Sequence, residues 1–125
     1  MLENVTPTPM LAVKEVSRAR RFYEDTLGLE PLPTEVPGVI RYRAGGGIFV
    51  VYESRYAGTN QATALNWSVG DELEKRVGEL RKKGVTFEQY DLPGTRREGD
   101  IHVSGKIRNA WFKDPDGNIH ALSNV

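Results

Sequence analysis

Phe22-Tyr23-Glu24-Asp25-Thr26-Leu27-Gly28-Leu29 and Asp71-Glu72-Leu73-Glu74-Lys75-Arg76-Val77-Gly78-Glu79-Leu80 are the two stretches from which the fold is read. The first ends a helical stripe: Val16, Ala19, Phe22, Tyr23 and Leu27 recur at helical spacing, Ser17 is placed to cap, and Gly28 to stop. Arg20/Glu24 and Arg21/Asp25 are spaced to pair across one turn, offsetting arginines that oppose the helix dipole at its start. In the second, Asp71 and Glu74 form a capping-box pattern and Leu73, Val77 and Leu80 the apolar stripe. Lys82 and Lys83 suit the last turn before Gly84.

Strand-like runs surround both helices. Met10–Val13 precedes the first, followed by Leu29–Leu32, Val39–Arg43 and Ile48–Tyr52. Ala64–Val69 precedes the second, followed by Val85–Tyr90, Ile107–Phe112 and Ile119–Ser123. Gly45-Gly46-Gly47 reads as a tight hairpin between strands, and Asp114-Pro115-Asp116-Gly117-Asn118 as a chain-reversing turn. The polar stretch Gly94–Lys106 reads as a loop. Val13/Val69, Glu15/Asp71, Gly28/Gly84 and Leu29/Val85 are each 56 positions apart, an offset that also superposes the helices. Each half is therefore expected to be a βαβββ module, about 5–58 and 62–125, within one 1–125 domain. One helix cannot cover both faces of its sheet, so the expected α+β architecture is one curved mixed sheet with helices outside and a concave ligand cleft inside.

Composition narrows the function. The 125 residues are 38% hydrophobic and 27% charged, with 17 basic residues balancing 17 acidic ones. A net charge of zero leaves no overall field to hold a polyanion, so nucleic-acid partners are not expected. Nor is membrane insertion. The absence of cysteine removes disulfides, thiol nucleophiles and thiolate metal sites. Met1-Leu2-Glu3-Asn4-Val5 lacks the apolar run of a signal peptide, which makes the cytoplasm the expected location.

Val13-Lys14-Glu15, Ala19, Phe22-Tyr23-Glu24-Asp25, Leu27-Gly28-Leu29, Val69-Gly70-Asp71, Gly84-Val85 and Trp111-Phe112-Lys113-Asp114-Pro115-Asp116-Gly117-Asn118 together resemble the vicinal oxygen chelate superfamily. It includes glyoxalase I, extradiol dioxygenases, and fosfomycin and bleomycin resistance proteins. The Phe49–Glu53 and Ala57–Thr63 segments are similar to a bacterial subgroup described only as glyoxalase/bleomycin resistance/dioxygenase-like. The resemblance implies a fold rather than a reaction. It also implies a homodimer.

Enzymes of that superfamily hold a divalent metal with His, Gln and Glu from strands of both halves. Carried over residue by residue, the ligand positions become Thr8, seven residues before Glu15; Ala64, seven before Asp71; Ala121, three after Asn118; and Val50, with Glu53 as a displaced substitute. Two alanines and a valine carry no side-chain lone pair, so no metal and no cofactor are expected. His120 neighbours Ala121 and should face the helices, held by a hydrogen bond; His102 reads as an exposed loop residue, with Glu98 or Asp100 as conceivable metal partners. Glu53 is the weak catalytic candidate, as a general base.

Strand alternation places Thr8, Met10, Val50, Tyr52, Ala64, Asn66, Ala121 and Ser123 along the cleft, the expected ligand-binding residues. Leu11, Val13, Phe49, Val51, Leu65, Trp67 and Leu122 fall on the helix side. A mildly polar wall of this kind suits reversible binding of a small, partly apolar organic molecule. The competing reading is a lyase, isomerase or dioxygenase using another metal site, or acid–base chemistry through Glu53, His102 or Tyr52.

Overall fold

Alternation along Ile48-Phe49-Val50-Val51-Tyr52 organises the first half. In a computed structural model describing residues 1–125, the chain forms two units, Met1–Gly58 and Thr59–Val125. The first contains β1 (Met10–Val13), α1 (Val16–Arg20), β2 (Glu30–Leu32), β3 (Val39–Ala44) and β4 (Gly47–Glu53) in the expected βαβββ order. Its sheet runs β1-β4-β3-β2, with β1 parallel to β4 and the other pairs antiparallel. Phe49, Val51, Ile40, Tyr42, Leu11 and Val13 are buried on one face, against Ala19 and Tyr23 of the helical segment. Tyr23, Tyr42 and Phe49 form a ring cluster with centroids 5.6–5.9 Å apart. Tyr42 also donates its hydroxyl to Glu24 Oε2 at 2.8 Å; burial and that carboxylate push its phenol above the ordinary range.

The first helix departs from the sequence expectation at both ends. Ser17 is not its cap: Glu15 occupies that place without a side-chain bond, and Glu53 Oε2 accepts the Val16 N–H at 3.0 Å. The parallel register setting Val13 beside Glu53 delivers the carboxylate to the helix start. After Arg20 the helix widens into a π-helical turn over Arg21–Thr26, with Leu27 N–H bonded to the Phe22 carbonyl at 3.0 Å. Gly28, at φ 74°, then ends it.

The second unit contains β5 (Thr63–Ser68), α2 (Leu73–Lys82), β6 (Phe87–Glu88), β7 (Arg96–Glu98), β8 (Ile101–Ser104), β9 (Ile107–Lys113) and β10 (Ile119–Ser123). The sheet order is β5-β10-β9-β8-β7, and β6 pairs with the far end of β9. The α+β class holds, with one helix-bearing mixed sheet in each unit. Two strands also appear where a loop was expected. Arg96–Glu98 is entirely polar and gives no alternation signal, yet it pairs with Ile101–Ser104, which completes the edge of β9 that short β6 leaves open.

The Asp71/Glu74 capping box does not form. A 3₁₀ turn over Gly70–Glu72 leads into α2, and a Glu72 N–H to Val69 carbonyl bond of 3.1 Å supplies the entry instead. Leu73 and Val77 are buried as the stripe requires. The turn between β9 and β10 is organised by buried Asp114. Its Oδ1 accepts the Asp116 and Asn118 N–H groups, both at 2.9 Å, and its Oδ2 accepts the Asn118 side-chain amide at 2.8 Å. Asp114→Ala removes the acceptor of all three bonds, two of them from buried Asn118. A stability loss of about 2–3 kcal/mol, measured by urea unfolding, is expected.

Candidate functional site

Each sheet turns one face to its helix, and the opposite face runs from exposed at Met10 and Asn66 to buried at His102, Ala121 and Ser123. In the first unit the open face carries Met10 opposite Val50 and Ala12 opposite Tyr52. Val50 in turn faces Arg41, and Ile48 faces Arg43. Met10 is 55% exposed, Val50 and Tyr52 are half-buried, and Thr8 is exposed ahead of β1. Glu53 is turned to another purpose. Its carboxylate caps α1, and Oε1 lies 3.2 Å from where a Cβ on Gly38 would sit. That anchoring is structural and leaves Glu53 committed to the helix start.

In the second unit, Asn66 lies opposite Ala121 and Ser68 opposite Ser123. Asn66 is exposed and donates to Ser68 Oγ at 3.2 Å; Ala64 is half-buried. Ala121 and Ser123 are both buried, because β10 is covered on each face. The open face continues through residues that sequence alternation missed. Register places His102 between Arg97 and Asn109, and Trp111 follows Asn109 on the same face. Trp111 donates its indole N–H to Thr63 Oγ1 at 3.2 Å.

His102 is not an exposed loop residue: it is 2% exposed, in the middle of β8. Its ring meets Trp111 edge-to-face at 4.9 Å, and Tyr90 lies 6.0 Å away. Nε2 accepts the Tyr90 backbone N–H at 2.9 Å, while Nδ1 is buried without a hydrogen-bond partner. The adjoining hairpin is fixed to α2 through Asp100, which accepts Arg81 Nη2 at 2.7 Å and the Gln89 side-chain amide at 2.7 Å. Beyond Tyr90, Asp91, Leu92, Pro93, Thr95 and Arg97 border an open depression of about 460 Å³.

His120 faces the helix side, as alternation implies. It is fully buried, stacked on Phe112 at 5.0 Å, and its Nδ1 accepts the Trp67 indole N–H at 3.0 Å. An indole can only donate, so Nδ1 is unprotonated. Burial pulls the titration of His120 down to about 4, with Asp114 opposing the shift.

The superfamily's metal does not fit these residues. Thr8, Val50, Ala64 and Ala121 offer one hydroxyl among them, and nowhere do three His, Asp or Glu side chains gather as a donor set. The lone pairs at His120 Nδ1 and His102 Nε2 are both committed to N–H donors. Asp100, the conceivable partner of His102, is engaged by Arg81 and Gln89.

The family model described as the Glyoxalase/Bleomycin resistance protein/Dioxygenase superfamily matches residues 6–122. The chain belongs to this superfamily. Among solved structures it is similar to a glyoxalase family protein from Enterococcus faecalis, at 17% identity and TM-score 0.72, covering 98% of this chain and 99% of that one. The fosfomycin resistance protein FosX from Mesorhizobium loti gives 12% identity and TM-score 0.68, with 100% and 94% covered. An integron cassette protein from the Halifax Harbour sewage outfall gives 20% identity and TM-score 0.69, with 93% and 94% covered. Likenesses at these identities establish the fold alone. No curated protein matches the chain, and no helix is long and apolar enough to cross a membrane.

Two outcomes follow from the placement of Glu53 and His120. Glu53→Gln weakens only the charged part of a helix cap, so stability should fall by no more than about 1 kcal/mol and ligand binding should not change. Loss of binding or turnover with the fold retained would return Glu53 to the site. For His120, the unfolded ring binds its proton near pH 6.5 and the folded ring only near 4. Its contribution is therefore intact above about pH 6.5 and lost as pH falls to about 4, a change on the order of 3 kcal/mol. Urea unfolding at pH 7, 5.5 and 4.5 should show a flatter acid limb for His120→Phe than for the parent protein.

Proposed function

We propose that the protein binds a small, partly apolar organic molecule on its open sheet faces, without a catalytic metal. The observation that carries this reading is the chemistry of those faces. Side chains that could ligate a cation are replaced by Thr8, Val50, Ala64 and Ala121, while Met10, Tyr52, Tyr90 and Trp111 offer apolar and aromatic surface. Asn66, Asn109 and Arg97 add a few polar groups. Reversible binding needs affinity without transition-state stabilisation, and this inventory is enough for affinity.

In this reading the protein is cytoplasmic and works as a homodimer, with light scattering expected to return twice the chain mass. The decisive experiment combines elemental analysis of untagged protein with a thermal-shift and calorimetric screen of small aromatic and aliphatic compounds. Substoichiometric metal, a melting temperature indifferent to chelator and saturable binding by at least one compound class are expected. Stoichiometric iron, nickel, manganese or zinc whose removal abolishes turnover of a thiol adduct or catechol would overturn the proposal in favour of a metalloenzyme.

A further inference from the structure

His102 holds a hydrogen-bond donor for which the chain supplies no acceptor. The Tyr90 backbone N–H can only donate, so Nε2, 2.9 Å from it, carries a lone pair and no proton. The neutral ring then carries its proton on Nδ1, the atom buried without a partner. Leaving a buried donor unmet is costly, and native proteins rarely tolerate it without a reason.

The surroundings indicate what that reason is. His102, Asn109 and Trp111 share the sheet face turned away from α2, and the rings of Trp111 and Tyr90 enclose the imidazole. Tyr90 contributes in two separable ways. Its backbone amide sets the tautomer, whereas its side chain covers the ring through contacts with His102 and Trp111, the latter edge-to-face at 5.4 Å. The Tyr90 side chain also borders the neighbouring depression, so its ring has space to turn aside from His102 while the amide pin stays in place. The surface so uncovered has one directed donor beside an aromatic plane.

We propose that His102 Nδ1–H is the recognition donor for a flat, conjugated molecule bearing a carbonyl-type oxygen, which stacks against Trp111 in the place vacated by the Tyr90 ring. This rests on the binding reading above and deepens it by naming the ligand chemistry and the residue that selects it. Specificity comes from the donor: a flat hydrocarbon of the same shape buries the same area but leaves Nδ1–H unmet.

The test uses the full chain, ¹⁵N-labelled, with coumarin, phthalimide and 2-quinolone as carbonyl probes and naphthalene as the hydrocarbon of matching shape. Long-range ¹H–¹⁵N spectra of the free protein should show the Nδ1–H tautomer at His102, assigned by its loss in His102→Phe. A carbonyl probe should then bind saturably, shift the His102 Nδ1–H resonance and quench tryptophan fluorescence. Naphthalene should bind about tenfold more weakly, as expected for one lost neutral hydrogen bond. His102→Phe should erase that preference, and Tyr90→Ala should tighten the carbonyl probes. An Nε2–H tautomer at His102 in the free protein overturns the inference at once; if His102→Phe fails to fold, the His102 signals are those that remain in His120→Phe. Binding of any compound in the broader screen with His102 resonances unmoved overturns it and leaves the proposed function standing. If nothing in either set binds, both fail together.

Discussion

Each unit has a single helical segment with which to shield a whole sheet, and that shortage governs the arrangement of everything else. In the first unit the helix side takes Leu11, Val13, Ile40, Tyr42, Phe49 and Val51, all buried, while Met10, Ile48, Arg41 and Arg43 remain exposed. Burying one large apolar side chain stabilises by about 1.5–3 kcal/mol, so a one-residue slip of β4 would forfeit several such contributions together. Register is thus enforced by the burial it produces. Glu53 is a consequence of the same register: pairing with Val13 carries its carboxylate to the first amide of α1. The helix is positioned by the sheet it covers.

Polar groups inside this framework are tolerated where geometry satisfies them. Asp114 is buried yet accepts three hydrogen bonds from the turn it organises, so its carboxylate oxygens are met by the chain they reverse. His120 survives among Phe112 and Trp67 because it stays neutral and accepts the indole N–H hydrogen bond. In both cases the partner comes from nearby sequence or a directly paired strand, so the fold that buries the group also satisfies it.

Legibility in the sequence followed that division. Met10–Val13 and Ile119–Ser123 were readable to the residue because hydrophobic runs there are bounded by clear turn chemistry. The helix-side identity of Val51, Phe49 and Leu122 was readable from size and alternation. Ser17 and the Asp71/Glu74 box misled, since local capping patterns lost to a cap from β4 and to a backbone 3₁₀ turn. The hairpin of β7 and β8 was illegible: Arg96-Arg97-Glu98 has no apolar side, and its pairing is decided by an edge of β9 that short β6 leaves vacant. With that hairpin went His102, Tyr90 and the aromatic part of the site. The only usable signal was Ile101-His102-Val103, a β-branched frame around a histidine, obscured by polar neighbours on both sides.

The two histidines show how differently a fold can treat one side chain. Both are buried, both accept a hydrogen bond at one ring nitrogen, and both stand beside aromatic rings. They occupy opposite faces of one sheet. His120 lies beneath α2, where the packed core closes around it and burial lowers its proton affinity. His102 lies on the face the helix does not reach, where Tyr90 and Trp111 provide the cover. A core histidine needs only to be neutral and enclosed. A histidine flanked by two aromatic side chains, with its tautomer pinned by a backbone amide, is a donor held in a fixed direction. Preorganisation of that kind lowers the cost of binding because the orienting contacts form during folding, before any ligand arrives.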